Sequence, residues 1–506
     1  MHTRASTYIC CKEVFYVHRQ SPRSQQVESC DSLRVFSGHC RRRTWSRGRV
    51  AQIRRPGLHT TSVVPLYTSP AAWHIHRRRR GPFLSSFPLF SPTRYNILVK
   101  LKLPRLVIFS IVIGILLRLI FALTTYHGDL AALVLAGDSL AVKHQFINFY
   151  ESVFTIGTQG ELKLPDHQMT FIYQPLAYFI PGLIYLPFTS VLKGLVDGLL
   201  HTNPYLLEGK SLFFPLLIYK LPLILADLGI LFLLPKFFSK KKDQHLSLIL
   251  WSLNPLAIYV SSMIGQVDAI LTFFLVAGLL AFKKDRLYLS VFFFTLSALV
   301  KPIGLVLLPV VALYHYSLHR RLLDVIKLVS SGLLTYLLVI APFLPSLAYR
   351  QYTLFAEHIN KTLFAGIAIS PGTLIPWFFV TYATILVLLL NRRISPFYAL
   401  GAALLASLSF THFHPQWLVW LTPWLVIYLV TTKDWLAPLL TLFSWLVILF
   451  SFEPSLTYHL FFGLNLNPIA LSSSLASFTP HLISLSRAWI AALLLHFTLQ
   501  KPAHET

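Results

Sequence analysis

The sequence is short of several things. It has four cysteines in 506 residues, at Cys10, Cys11, Cys30 and Cys40. The remaining 466 residues therefore have no disulfide framework and no thiol chemistry, and the four that exist lack metal-ligand spacing. Charge is also scarce, at 12% of residues against 55% hydrophobic. Acids are the rarest charged type, with 19 Asp and Glu against 44 Lys and Arg. No phosphate-cradling glycine loop, dinucleotide fingerprint, zinc-type His-Glu pair or nucleophile elbow is present, which argues against nucleotide-driven chemistry. No ten-residue alternation of the kind a membrane β-barrel requires is visible either.

What remains is a succession of apolar runs of about twenty residues, the length a helix needs to span hydrocarbon. Unpaired backbone groups are costly in lipid, so the spans are helices. The expected fold is an all-α, polytopic transmembrane helix bundle of about 11 to 13 spans over residues 101–500.

The first hundred residues differ in kind. They hold eighteen of the basic residues and three of the acids, with runs such as "CRRRTWSRGRVAQIRRP" and "HIHRRRRGPF". Such a stretch reads as a disordered basic extension. It is open to three readings: a non-functional or mis-started leader, a topogenic or lipid-touching tail, or a targeting peptide. No catalytic residue is expected in it, and no nucleic-acid partner for the chain.

In the membrane body the basic residues gather at Lys236, Lys240 to Lys242, Lys283, Lys284, Arg286, Arg320, Arg321, Arg392, Arg393 and Lys433. The positive-inside rule places those turns in the cytoplasm. A first span over about 105–125 then runs outward, into an outer loop at 126–173 with five acids and three histidines. Later spans fall near 246–262, 265–282, 287–300, 302–317, 323–345, 371–390, 396–411, 414–431, 434–452 and 482–500. Residues 174–210, broken by Pro175, Pro181 and Pro187, form either a re-entrant hairpin or two short crossings.

On that threading Asp129, Tyr173, Gln174, Gln266, Asp268, Lys301 and the "THFHPQW" run with His412 and His414 all fall at outer ends of spans. Clustering on one face suggests a site. Each residue also has a plainer reading. Asp129 suits a solvated loop acid, Asp268 a helix cap and Lys301 a snorkelling lysine. Asn254 before Pro255 suits a helix kink. Lys220 and Asp227, two helical turns apart in "YKLPLILADLGIL", suit structural partners within the bundle. His412 and His414 suit phosphate better than metal.

Taken in order, these segments resemble the GT-C membrane glycosyltransferases, whose donor is a sugar on a polyprenyl phosphate. "NPLAIYVSSMIGQVDAI" is similar to the Asn-Pro…Gly-x-x-Asp segments of glycosylphosphatidylinositol mannosyltransferases and bacterial polyprenyl-phosphate-mannose-dependent enzymes. "YKLPLILADL", "FIYQPLAYF", "SALVKPIGLVLLP" and "HFHPQWLVWLTP" resemble their other signature segments, over about residues 105–431. Gln174 departs from the usual proline, and Trp417 from the usual tyrosine.

The resemblance implies a hexosyl- or mannosyltransferase acting by inverting displacement on the extracytoplasmic face. Asp129 would be the general base, preferred over Asp138 in the same loop. Lys301, His412 and His414 would meet the donor phosphate, and Tyr173, Gln174, Gln266 and Asp268 would hold substrate. Lys220, Asp227 and Asn254 would support the site. It implies no cofactor beyond the lipid-linked donor, with a divalent metal left open, and a glycan or glycolipid acceptor. The expected location is a prokaryotic plasma membrane, or the endoplasmic reticulum in a eukaryote. A secondary transporter and a lipid-linked polysaccharide polymerase or ligase are the alternatives.

Overall fold

The computed structural model describes residues 103–127, 129–158, 173–192, 213–355, 363–411, 414–452 and 479–500. The basic extension, His412, residues 159–172 and the 193–210 part of the proline-broken segment lie outside them.

The described chain is helical apart from one β-hairpin. Five helices are long and apolar enough to cross a membrane: Arg105–Thr124, Phe213–Phe237, Pro302–His319, Leu322–Phe343 and Pro480–Thr498. A sixth candidate is the pair Lys241–Ser252 and Pro255–Met263, bent by 44°. Seven further apolar helices run 10–17 residues, among them Leu287–Ala298, Pro396–Phe410 and Thr422–Thr432. At 1.5 Å per residue a twelve-residue helix reaches only about 18 Å, short of the roughly 30 Å hydrocarbon layer. Two of these helices stop at polar segments the sequence places at outer ends. Leu287–Ala298 ends before Lys301–Pro302, and Pro396–Phe410 ends before the His-Phe-His-Pro run.

Three elements carry the site, labelled here α1 (Arg105–Thr124), α2 (Phe213–Leu233) and α3 (Asp268–Lys283). The stretch expected as an outer loop is itself partly helical. Leu130–Ala136 continues into a π-helical turn, Gly137–Val142, and a further helix covers Phe149–Thr158. Buried Leu133, Leu135, Tyr150 and Val153 explain why it folds onto the bundle rather than staying in water.

The span expected from 371 starts later. Gly366–Ser370 and Thr373–Pro376 form the antiparallel hairpin β1 and β2, and the helix starts at Trp377. Pro371 and Gly372, the latter at φ +77°, make the turn between them. Proline fixes the first central φ, and only glycine accepts a positive one at the second without cost.

The two ends of the bundle differ. Helix α3 runs from Asp268 to Lys283, and Lys283 Nζ donates to the carbonyl of Phe237. Lys433 pairs with Asp243 at 2.7 Å, and Arg392 donates to Ser317 at the far end of the helix that begins beside Lys301. The basic turns thus collect at the end opposite Asp268 and Lys301.

Candidate functional site

A charge inside an apolar span must find a partner, since lipid offers none. Arg118, in the middle of α1, and Asp227, in α2, are each 2% exposed and meet at 2.7 Å. Trp251 Nε1 and Ser261 Oγ also donate to the Asp227 carboxylate, both at 2.8 Å. The guanidinium's remaining donors reach the carbonyls of Gly114, Ser252 and Trp251. Ser252 and Trp251 end the helix Lys241–Ser252, whose last carbonyls have no partner within the helix. One arginine thus neutralises an acid and caps a broken helix. The sequence reading anticipated a structural partner for Asp227 but missed Arg118, although the lone charge in "LVIFSIVIGILLRLI" was the available signal.

Lys220 does the same for α1. It is fully buried, and its Nζ donates to Ala122 O, Thr125 O and Thr125 Oγ1 at 3.3, 2.5 and 3.0 Å, where α1 ends. Lys220 and Asp227 do lie on one helix face, yet they serve different partners. Thr125 Oγ1 in turn donates to Met263 O at 2.8 Å, joining the end of α1 to the segment before Gly265.

That segment is built from breaks. Asn254 Oδ1 accepts from the amides of Leu256 and Ala257, both at 3.0 Å, and so caps the short helix Pro255–Ile258. After a π-helical turn, Gly265 takes φ +73°. A Cβ there would stand 2.8 Å from Leu130 Cδ1 and 3.3 Å from Lys220 Cγ. The backbone therefore turns in a space only glycine fits, and Gln266 emerges beyond it.

Gln266, 3% exposed, donates from Nε2 to Asp129 Oδ2. The Asp129 side chain remains 46% exposed. His127, to which the sequence assigned no role, lies beside it, with Nδ1 accepting from the Asp129 amide at 3.2 Å and standing 3.7 Å from Oδ2. Burial holds the His127 imidazole below its ordinary range, against the pull of Asp129. A neutral ring with a lone pair on Nδ1 suits an amide donor and leaves the carboxylate without a cation there.

Two residues further on, Asp268 opens α3, but not as a cap. Its carboxylate accepts from Lys301 Nζ and from Trp420 Nε1, each at 2.7 Å, at full burial. The Lys301 ammonium also lies 4.5 Å from the Tyr173 ring centre and 5.9 Å from that of Trp417. An ammonium over aromatic faces is attracted by their quadrupoles. Lys301 is thus committed to Asp268 rather than left as an open phosphate ligand.

Trp417 stacks on Trp420 at 5.1 Å, and His414 meets Trp417 edge to face at 5.3 Å. Gln174 Oε1 accepts from Tyr349 at 2.8 Å, and the amide of Leu176 donates to Leu299 O. The Tyr-Gln-Pro segment is thereby tied to the turn that carries Lys301. Burial, with Asp129 and Asp268 adding, raises the Tyr173 phenol well above its ordinary range, so it stays neutral. Gln416 is buried, and its Oε1 meets no donor among the described residues.

Asp138, the other acid considered as a base, is 6% exposed and paired with Lys143 at 2.7 Å. It sits in the π-helical turn, not in open loop. Among the described residues no three His, Cys, Asp or Glu side chains come together as a metal would need.

The arrangement gathers Asp129, Tyr173, Gln174, Gln266, Asp268, Lys301 and His414 at one end of the bundle. Its acids are not equivalent. Asp227, Asp268 and Asp138 each face a cation, whereas Asp129 is exposed and held by a neutral amide. Such a carboxylate can take a proton from a bound hydroxyl.

Residues 185–317 match a family model described as alpha-(1->6)-mannopyranosyltransferase, N-terminal domain. The match takes in Lys220, Asp227, Asn254, Gln266, Asp268 and Lys301 and leaves Asp129 and His414 outside. No curated protein and no solved structure matches the chain.

Proposed function

We propose, from the premise that the chain is a membrane glycosyltransferase with a mannosyltransferase-type domain, that it moves a hexose, mannose by preference, from a polyprenyl phosphate to a hydroxyl of a glycan or glycolipid. The observation that carries this reading is the contrast between Asp129 and the other acids of the cluster. A general base must keep its charge available, and Asp129 alone among them has no cationic side chain donating to it among the described residues.

In the proposed step the acceptor hydroxyl attacks the anomeric carbon from the face opposite the leaving group. The acceptor O–C1 bond forms as the C1–O(phosphate) bond breaks, inverting the centre. The hydroxyl proton passes to the Asp129 carboxylate, and the electron pair leaves with polyprenyl phosphate. Gln266 orients Asp129. The His412 to His414 segment would face the donor phosphate, while Tyr173 and Gln174 would border the sugar. Lys301 would act through Asp268, fixing the start of α3 two residues from Gln266.

The lipid-borne donor suits a site at the membrane surface where the chain offers no nucleotide-binding motif. The basic turns at the opposite end support an extracytoplasmic location through the positive-inside rule. A transporter using Asp129, Asp227 and Asp268 as coupling groups fits less well, since two of the three are held by buried cations.

Membranes containing the protein should transfer label from polyprenyl-phosphate mannose and not from a nucleotide sugar. Asp129→Asn keeps size and hydrogen bonding but cannot accept the proton, so turnover should fall about 10²-fold or more, the usual scale for losing a general base. Asp285→Asn, at the opposite end and at φ +54°, serves as the silent control. Near-normal turnover in the Asp129 variant removes the base assignment. Transfer from a nucleotide sugar alone removes the donor.

A further inference from the structure

From Leu363 to Leu390 the sequence contains no Asp, Glu, Lys, Arg or His. The first part of this stretch is not a helix but the hairpin Gly366–Pro376, and its side chains are turned outward. Ile367, Ile369 and Ile375 are 50%, 62% and 40% exposed, and Leu363, Phe364 and Trp377 beside them are exposed as well. Every residue of β1 is exposed.

Two environments conflict with this build. Water penalises a continuous patch of exposed isoleucine, leucine and phenylalanine. The hydrocarbon core penalises the backbone, since a two-stranded sheet leaves the outward N–H and C=O groups of both strands outside its ladder. The register shift between Ala368 and Ser370 places Ile369 at a bulge and takes it out of the pairing. The headgroup layer is the one place that meets both demands, because it solvates backbone groups and receives apolar side chains. Trp377, at the junction with the helix, is the residue type enriched at that depth.

The patch is also continuous with the lipid-facing flank of the protein. Trp377 opens the helix Trp377–Leu390, where Phe379, Val380 and Val387 are exposed. At its base the hairpin is tied to the site end of the bundle. Ala365 N donates to Phe410 O at 3.2 Å, Trp377 N donates to Ala365 O at 2.9 Å, and the Trp377 and Phe410 rings approach to 6.5 Å. Phe410 ends the helix that leads through Thr411 to His414 and Trp417.

We infer that the hairpin Gly366–Pro376 is a membrane-interface element whose partner is the surrounding bilayer lipid, and that it fixes the depth of the helix end at Phe410 against the headgroup layer. The inference uses the membrane character of the chain and not the identity of the sugar or its donor.

The test replaces Cys10, Cys11, Cys30 and Cys40 by serine in the full chain and introduces Ile369→Cys for an environment-sensitive fluorophore. The protein is placed in phosphatidylcholine vesicles carrying a spin-label quencher either near the headgroup or deep in the acyl chain, with iodide as the aqueous quencher. Phe443→Cys, exposed on the helix Leu436–Phe452, reports the deep position, and Lys242→Cys, in a basic turn, the aqueous one. The Ile369 label should emit further to the blue than the Lys242 label and be quenched most by the shallow spin label. Strongest quenching by iodide would place the hairpin in water. Strongest quenching by the deep label would place it in the core. Equal protection from all three would mean that protein covers it, a second copy included. Any of these results overturns the inference, and none depends on sugar transfer.

Discussion

At the scale of the residue, the chain shows what a low-dielectric surrounding does to charge. Lys301 and Asp268 are 33 positions apart, yet they meet at 2.7 Å with side-chain exposures of 7% and 0%. Removing one partner of such a buried pair strands the other, at a cost of about 3–5 kcal/mol, whereas removing both leaves no unmatched charge. Lys301→Met should therefore lower the unfolding temperature in detergent sharply, and Lys301→Met combined with Asp268→Asn should recover much of the loss. A double variant whose loss equals the sum of the two single losses would show the pair to be uncoupled. The same reasoning separates the acids. The sequence shows where an acid or base falls in a span, but not which of them meet. Asp227 and Arg118 are 109 residues apart, and nothing local joins them.

At the scale of the element, the site is made of helix ends. Lys220 closes α1, Arg118 closes the helix before Asn254, and Asp268 opens α3 while Trp420 and Lys301 hold its carboxylate. Asn-Pro and Gly in "NPLAIYVSSMIGQVDAI" announce these breaks in the sequence, since proline cannot donate and glycine tolerates a positive φ. Their consequence depends on neighbours far along the chain. Gly265→Ala would place a methyl 2.8 Å from Leu130 and hold an alanine at φ +73°. The conformation alone costs roughly 1–2 kcal/mol, and the contact must move either Leu130, next to Asp129, or the turn that presents Gln266. Thermal stability and turnover should both fall, with turnover falling more than the stability loss explains. A variant with unchanged melting and rate would show that the turn can relax without disturbing Asp129. The hairpin at 366–376 shows the limit of pattern reading, because an uncharged run before a span looks like more span until the Pro-Gly turn folds it back.

At the scale of the whole molecule, the distribution of charge sets orientation. The basic turns lie at one end and the Asp129 cluster at the other, which under the positive-inside rule supports the proposed outward-facing site. Because the body has no native cysteine, single cysteines report this directly. Ile147→Cys and Phe355→Cys, both highly exposed at the site end, should react with a membrane-impermeant maleimide from outside intact cells. Cysteines at Lys242, Asp285, Arg320 and Lys433 should react only after permeabilisation. The reverse pattern would place the site on the cytoplasmic face and remove the lipid-donor argument that depends on it.

By itself the sequence determined the helical membrane fold, the segments that carry polar groups, and the end of the bundle to which they belong. These follow from the cost of placing each residue in hydrocarbon, a property of composition and order along the chain. Only the tertiary structure decided which remote polar groups meet: Arg118 with Asp227, Lys301 with Asp268, and Gln266 with Asp129. Those choices depend on distances between helices that are remote in the chain. A buried charge is stabilised by whichever counter-group comes within a few ångströms, and hydropathy holds no record of that distance.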